Sequence, residues 1–93
     1  MDEKQQMVCK DVARLVKYLS HPTRLEIVCV LKDSEQCVKE ICRILNKRQS
    51  NISQHLSLLR HAGFIDLKRI GNTSNYFITS PKIIKVLKIL AEG

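Results

Sequence analysis

The chain has no tryptophan and only two tyrosines and two phenylalanines in 93 residues. It therefore lacks an aromatic platform on which single-stranded nucleic acid or RNA bases would stack. No apolar run approaches the roughly 18 residues of a membrane-spanning helix. The opening residues, MDEKQQMVCK, do not have the basic-then-apolar layout of a secretory signal, which points to a cytoplasmic protein. There is no internal repeat, low-complexity tract or linker, so residues 1–93 read as one domain. Enzyme machinery is missing as well. The sequence offers no paired carboxylates, no Gly-rich phosphate loop and no Ser-His-Asp arrangement, and a chain this short encloses no deep pocket.

What is present is positive charge, and it is localised. The net charge is +7. Between Arg43 and Asn72, Arg43, Lys47, Arg48, Arg60, Lys68 and Arg69 face only one acid, Asp66. A basic excess of this kind suits phosphate contacts. An anionic membrane surface or an acidic protein partner is the alternative, but the charge flanks a polar helix face rather than the edges of an amphipathic helix.

That polar face lies within residues 37–62. The segment reads as two short helices around a basic turn, Leu45-Asn46-Lys47-Arg48. The first is apolar at Val38, Ile41, Ile44 and Leu45, and the second at Ile52, Leu56 and Leu59, an i, i+4, i+7 stripe. Opposite the stripe stand Ser50, Ser53, Gln54, Ser57 and His61, with no carboxylate among them. Hydroxyls and amides that both donate and accept hydrogen bonds match base edges and phosphate oxygens in a DNA major groove.

The flanking elements follow from periodicity and breakers. Residues 4–19 form a helix, with Val8, Val12, Leu15, Val16 and Leu19 on one face. Ser20-His21-Pro22 ends it, and Pro22 opens a helix to about Lys32 with Leu25, Ile27, Val28 and Leu31 inward. Residues 33–36 are a polar connector. Gly63 closes the fourth helix. Residues 64–70 and 75–79 read as strands joined by Gly71-Asn72-Thr73-Ser74, a β-hairpin with Lys68 and Arg69 near its tip. Ser80 and Pro81 start a last helix through residue 91. The predicted fold class is mainly α with a small β-hairpin wing, a winged helix-turn-helix in the order ααααββα. The terminal helices, 4–19 and 81–91, are more apolar than a small domain needs. The last carries Ile83, Ile84, Val86, Leu87, Ile89 and Leu90 on more than one side, which predicts a homodimer.

Three motifs then resemble one family. They are His21-Pro22-Thr23-Arg24-Leu25, the run from Gln49 to Leu56 (QSNISQHL), and Leu59-Arg60-His61-Ala62-Gly63-Phe64-Ile65. In this order, over nearly the whole chain, they resemble the ArsR/SmtB family of bacterial and archaeal repressors. The resemblance implies a homodimer, through the first and last helices, that represses its own operon and leaves a double-stranded, palindromic operator when an inducer binds. Carried over by position, it places Gln49, Ser50, Ser53, Gln54 and His55 in the DNA-reading helix, whose first residues lie deepest in the groove. Arg48 and Ser57 join that surface. At about 100° per residue His55 falls beside Ile52 and Leu59, so it reads as a buried, hydrogen-bonded support or a phosphate contact rather than a base reader. Arg60, Lys68, Arg69 and Asn72 are expected on the DNA backbone, with His61 as a phosphate contact or a solvated end residue.

Sensing is less legible. The zinc site that some family members carry on the last helix uses Asp and His ligands and is missing here, where the chain has neither and Glu92 is the one carboxylate. The family's thiolate site begins at a Cys-x-Cys pair. Cys37 occupies its first position but Lys39 its second, and Cys9 stands in for the N-terminal ligand. Cys42, five residues on, is about 140° away around a regular helix. Cys9, Cys37 and Cys42 would together suit a soft ion such as As(III), Sb(III), Cd(II) or Pb(II). Alternatively Cys29 resembles the second-helix cysteine of persulfide-sensing members, whose partner on the last helix is absent here and which Cys9 would have to replace. A third reading makes the cysteines small apolar filler, with no C-x-x-C pair among them. A winged-helix protein-interaction module without an inducer is the remaining alternative, disfavoured by a basic face with few apolar anchors.

Overall fold

The structure, a computed structural model, describes residues 1–92. Helix α1 (Glu3–Leu19) is followed by α2 (Pro22–Leu31), a two-residue strand β1 (Gln36–Cys37), α3 (Val38–Leu45), α4 (Gln49–His61), the hairpin β2 (Ile65–Ile70) and β3 (Thr73–Ile78), and α5 (Pro81–Glu92). The order of elements matches the sequence reading apart from β1. This strand pairs antiparallel with β3 (Gln36 opposite Tyr76, Cys37 opposite Asn75), giving a three-stranded sheet in the order β1-β3-β2. Two residues carry no alternation to read. Only the exposed edge of β3, some forty positions away in sequence, specifies them.

Local chemistry explains the boundaries. Asp2 and Gln5 form a capping box: Gln5 N–H donates to the Asp2 carboxylate at 2.8 Å, and Asp2 N–H donates to Gln5 Oε1 at 3.1 Å. Thus α1 starts one residue earlier than periodicity alone suggests. Asn46 stops α3 in the left-handed region, at φ 54°, where a short amide side chain is tolerated. Gly63 ends the α4 segment at φ +85°. The hairpin loop is tighter than expected. Ile70 pairs with Thr73, so Gly71-Asn72 alone make the turn, with positive φ at Gly71 as in a type II′ hairpin.

The core joins Ile27, Val28 and Leu31 of α2, Ile41 of α3, Ile52, Leu56 and Leu59 of α4, Ala62 and Phe64 after it, Ile65 of β2, and Ile83 and Leu87 of α5. Two residues expected inward are not. Ile44 is 45 % exposed, because Val38, Ile41 and Leu45 define the buried line of α3 and Ile44 lies about 100° off Leu45. Leu25 is 39 % exposed and borders a groove with Leu15, Val16, Leu19, Val86, Leu87 and Leu90. Helix α1 buries no residue fully. It is tied to the end of α4 by Arg14, which donates from Nη2 to Ala62 O at 2.7 Å and lies over the rings of Phe64 (5.2 Å) and Tyr18 (5.5 Å).

Candidate nucleic-acid interface

The inner line of α4 is Ile52, His55, Leu56 and Leu59, all buried. Burial of these four fixes the rotation of the helix and turns the opposite face outward. Gln49, Ser50, Gln54, Ser57, Arg60 and His61 are exposed there, Ser53 is half-buried, and Arg48 is exposed at the entry. Asn46, Lys47 and Arg48 make the whole turn between α3 and α4. Lys47 N–H donates to Cys42 O at 3.1 Å, which closes the end of α3. The α4 face carries no carboxylate, and Ser57, Arg60 and His61 line a shallow polar depression at its C-terminal end.

The wing departs from a simple picture of unpaired cations. Lys68 Nζ lies 2.8 Å from Glu35 and 6.0 Å from the centre of the Phe77 ring. Arg60 Nε donates to Asp66 at 3.0 Å. Glu35 and Glu40 lie just N-terminal to the basic stretch, and the fold brings them back onto Lys68 and, within α3, onto Arg43. These pairs are largely exposed and hence weak. The Asp66 carboxyl is held below its ordinary range, first by the Leu67 N–H and then by Arg60. Glu40 is lowered by its hydrogen bond to Arg43. Arg69 and Asn72 are exposed, as is Ile70 at the wing tip, at 61 %. Ile70 escaped the sequence reading because an apolar residue inside a strand pattern looks like core.

His55 is buried as expected, but the expected hydrogen bond is missing at Nδ1, which has no partner. Its ring instead lies 4.3 Å from that of His21, tilted by 44°. Burial lowers the His55 pKa, and His21, Arg24 and Lys47 lower it further.

The cysteines do not converge. Cys9 is exposed on α1, Cys37 is half-buried where β1 meets α3, and Cys29 and Cys42 are half-buried against the core. Among the described residues no three His, Cys, Asp or Glu side chains are grouped to hold a metal. The set Cys9, Cys37 and Cys42 is thus not assembled within one protomer.

A second surface lies on α1 and α5. Val8, Val12 and Val16 of α1 are each more than half exposed, as are Ile89 and Leu90 of α5, with Val86 at 37 %. Val12, Leu15, Val16, Val86 and the stems of Lys82 and Lys85 line one groove between the two helices, and Asp11 and Lys82 bridge them at 3.6 Å. No described helix is long and apolar enough to cross a membrane.

Comparison with known proteins agrees with this geometry. Residues 21–66 match the family model described as bacterial regulatory protein, arsR family. The biofilm growth-associated repressor of Agrobacterium fabrum is 36 % identical over 80 residues, covering 86 % of this chain and 68 % of that protein. The transcriptional activator HlyU of Vibrio cholerae is 33 % identical over 76 residues, covering 82 % of this chain and 70 % of its own length. The crystal structure of the transcriptional repressor BigR from Xylella fastidiosa superimposes with a TM-score of 0.88 at 33 % identity, covering 97 % of this chain and 93 % of that one.

Proposed function

This chain belongs to the ArsR family of bacterial regulatory proteins, a family of winged helix-turn-helix regulators rather than enzymes, and we propose that it is a homodimeric repressor of the cytoplasm that reads a palindromic DNA operator. The observation that carries this reading is the carboxylate-free outer face of α4, held outward by four buried residues and flanked by Arg48, Arg60, Lys68 and Arg69. Gln49, Ser50, Ser53, Gln54 and Ser57 meet base edges and phosphates, with Gln54 the best placed for a bidentate contact to adenine. Arg60, Lys68, Arg69 and Asn72 grip the backbone. His55 supports the helix from behind. The exposed α1–α5 surface supports dimerisation, which sets the half-sites about one helical turn, ~34 Å, apart.

The test compares two variants on operator and unrelated DNA. Gln54→Ala relaxes base preference by about 1–3 kcal/mol at one position, whereas Lys68→Ala weakens binding to every sequence alike and lowers the salt slope by about one. Uniform weakening by both would place the reading helix elsewhere.

For release, Cys9 fits a thiol-directed inducer best, being the exposed thiol on a helix of the dimer surface. With no complete ligand set in one protomer, an As(III), Cd(II) or Pb(II) site would draw Cys9 together with Cys37 or Cys42 across the two-fold axis. Reactive sulfur species would instead act at Cys29 and Cys9. Titration of reduced, metal-stripped protein with each, following thiolate absorption and thiol count, separates the two. Unresponsive thiols would make the cysteines packing residues.

A further inference from the structure

The H-P-T-R segment is not explained by the outer face of α4. Its first residue, His21, caps α2: the His21 Nδ1 accepts from Thr23 N–H at 3.1 Å. Because Nδ1 is an acceptor, the proton of the neutral ring sits on Nε2, so an exposed residue presents an N–H donor. No acid occupies the first turn of α2, so the positive end of the helix dipole is uncompensated. The His55 ring lies against His21 and is nine-tenths buried with an unpartnered Nδ1. Arg24 on α2 and Lys47 in the α3–α4 turn add positive charge, and no carboxylate is among the groups acting on His55. Arg24 Nε donates to Tyr18 O, which holds the guanidinium on the α2 side of the site. The His21–His55 ring pair thus sits at a helix N-terminus without a counter-charge, with Arg24 and Lys47 the cations that act on it.

We propose that the N-terminus of α2 is a separate anchor for the DNA backbone, in which His21 Nε2 and Lys47 Nζ hold one phosphate and the buried His55 ring positions His21. The site rests on the DNA-binding reading above and extends it. Its two phosphate-holding residues, His21 and Lys47, lie outside the reading helix and the wing, so it adds affinity without sequence preference. It also fixes how α2 sits on the duplex and, through the His21–His55 contact, the roll of α4.

The test uses the full chain with operator and unrelated duplexes over a salt series. Lys47→Gln leaves the α2 cap intact and should lower the slope of log K against log salt by about one, weakening both duplexes by the same factor. His21→Asn retains a capping oxygen but loses the ring N–H, and should weaken both duplexes alike without lowering the melting temperature. In wild type, DNA binding should move the His55 ring titration upward by NMR, because a phosphate offsets the neighbouring cations. In the double variant that movement should disappear. Wild-type affinity and slope in Lys47→Gln, or an unchanged His55 titration on binding DNA, would overturn the anchor. If Gln54→Ala still relaxes base preference in that case, the operator reading stands and only the anchor falls. If wild type shows no preference for any duplex, both fall.

Discussion

Replacing Val16 with Asp tests whether the α1–α5 face is covered by a second copy of the chain. Val16 is 56 % exposed in the protomer and borders both apolar grooves between α1 and α5. Fully burying a valine is worth about 1.5–3 kcal/mol. Covering the exposed half therefore contributes about 1 kcal/mol per protomer. A two-fold interface presents the same patch twice, so the apolar loss alone is about 2 kcal/mol per dimer. Two carboxylates brought into the contact add a desolvation penalty of several kcal/mol per ion if fully buried, and part of that at a half-covered site. A total of at least about 4 kcal/mol weakens the dimer by roughly three powers of ten. Sedimentation equilibrium over a concentration series should show wild type as a dimer and Val16→Asp as a folded monomer, since an exposed aspartate on α1 does not disturb the protomer core. Operator affinity should fall as well, because one protomer reads one half-site. A dimer dissociation constant within threefold of wild type would refute the assignment of this face.

Two further perturbations address how the reading helix is held. Arg14→Met removes the hydrogen bond to Ala62 O and the cation–π contacts with Phe64 and Tyr18. Because Arg14 is exposed, the loss is about 1–2 kcal/mol, a melting temperature lower by roughly 4–16 °C at fixed protein concentration; a shift under 2 °C would show that α1 is not tied there. His55 sets an acid limit. Its folded pKa is lowered by burial and by His21, Arg24 and Lys47, so well above the ordinary histidine value of about 6.5 both states are neutral and the effect is absent. Below that the unfolded chain binds a proton that native His55 resists, and stability falls with pH. Urea titrations from pH 7.5 to 5.5 should show this loss in wild type but not in His55→Gln. The Asp66 and Glu40 carboxyls, both lowered, begin to lose their contribution as pH falls into the ordinary carboxylate range and lose it fully below their lowered values.

Features set by local pattern were legible in the sequence. The stripe Ile52, Leu56, Leu59 placed α4 and its outer face, Gly63 placed its end, and Pro22 and Pro81 placed two helix starts. The change from helical to alternating period revealed the wing. Features set by distant partners were not legible. Strand β1 exists because β3 offers an edge, and Lys68 meets Glu35 because β1 brings the connector beside the sheet. The His21–His55 contact depends on how α2 crosses α4. It was half visible: helical phase put His55 inside, and the H-P-T-R segment named His21, but nothing in one dimension joins them. The capping box at Asp2 and Gln5 was readable from its spacing alone and moves the start of α1 by one residue.

The most direct test of the central claim is the affinity of wild-type protein, by fluorescence anisotropy, for DNA from upstream of its own gene and for a scrambled duplex between about 50 and 200 mM salt. A specific repressor holds the first at least a thousandfold more tightly at physiological salt, and both affinities fall steeply, by about 10³–10⁵ across that range for 6–10 neutralised phosphates. Equal affinity for the two duplexes, or binding that is flat with salt, would contradict the assignment of the α4 face as a sequence-reading surface.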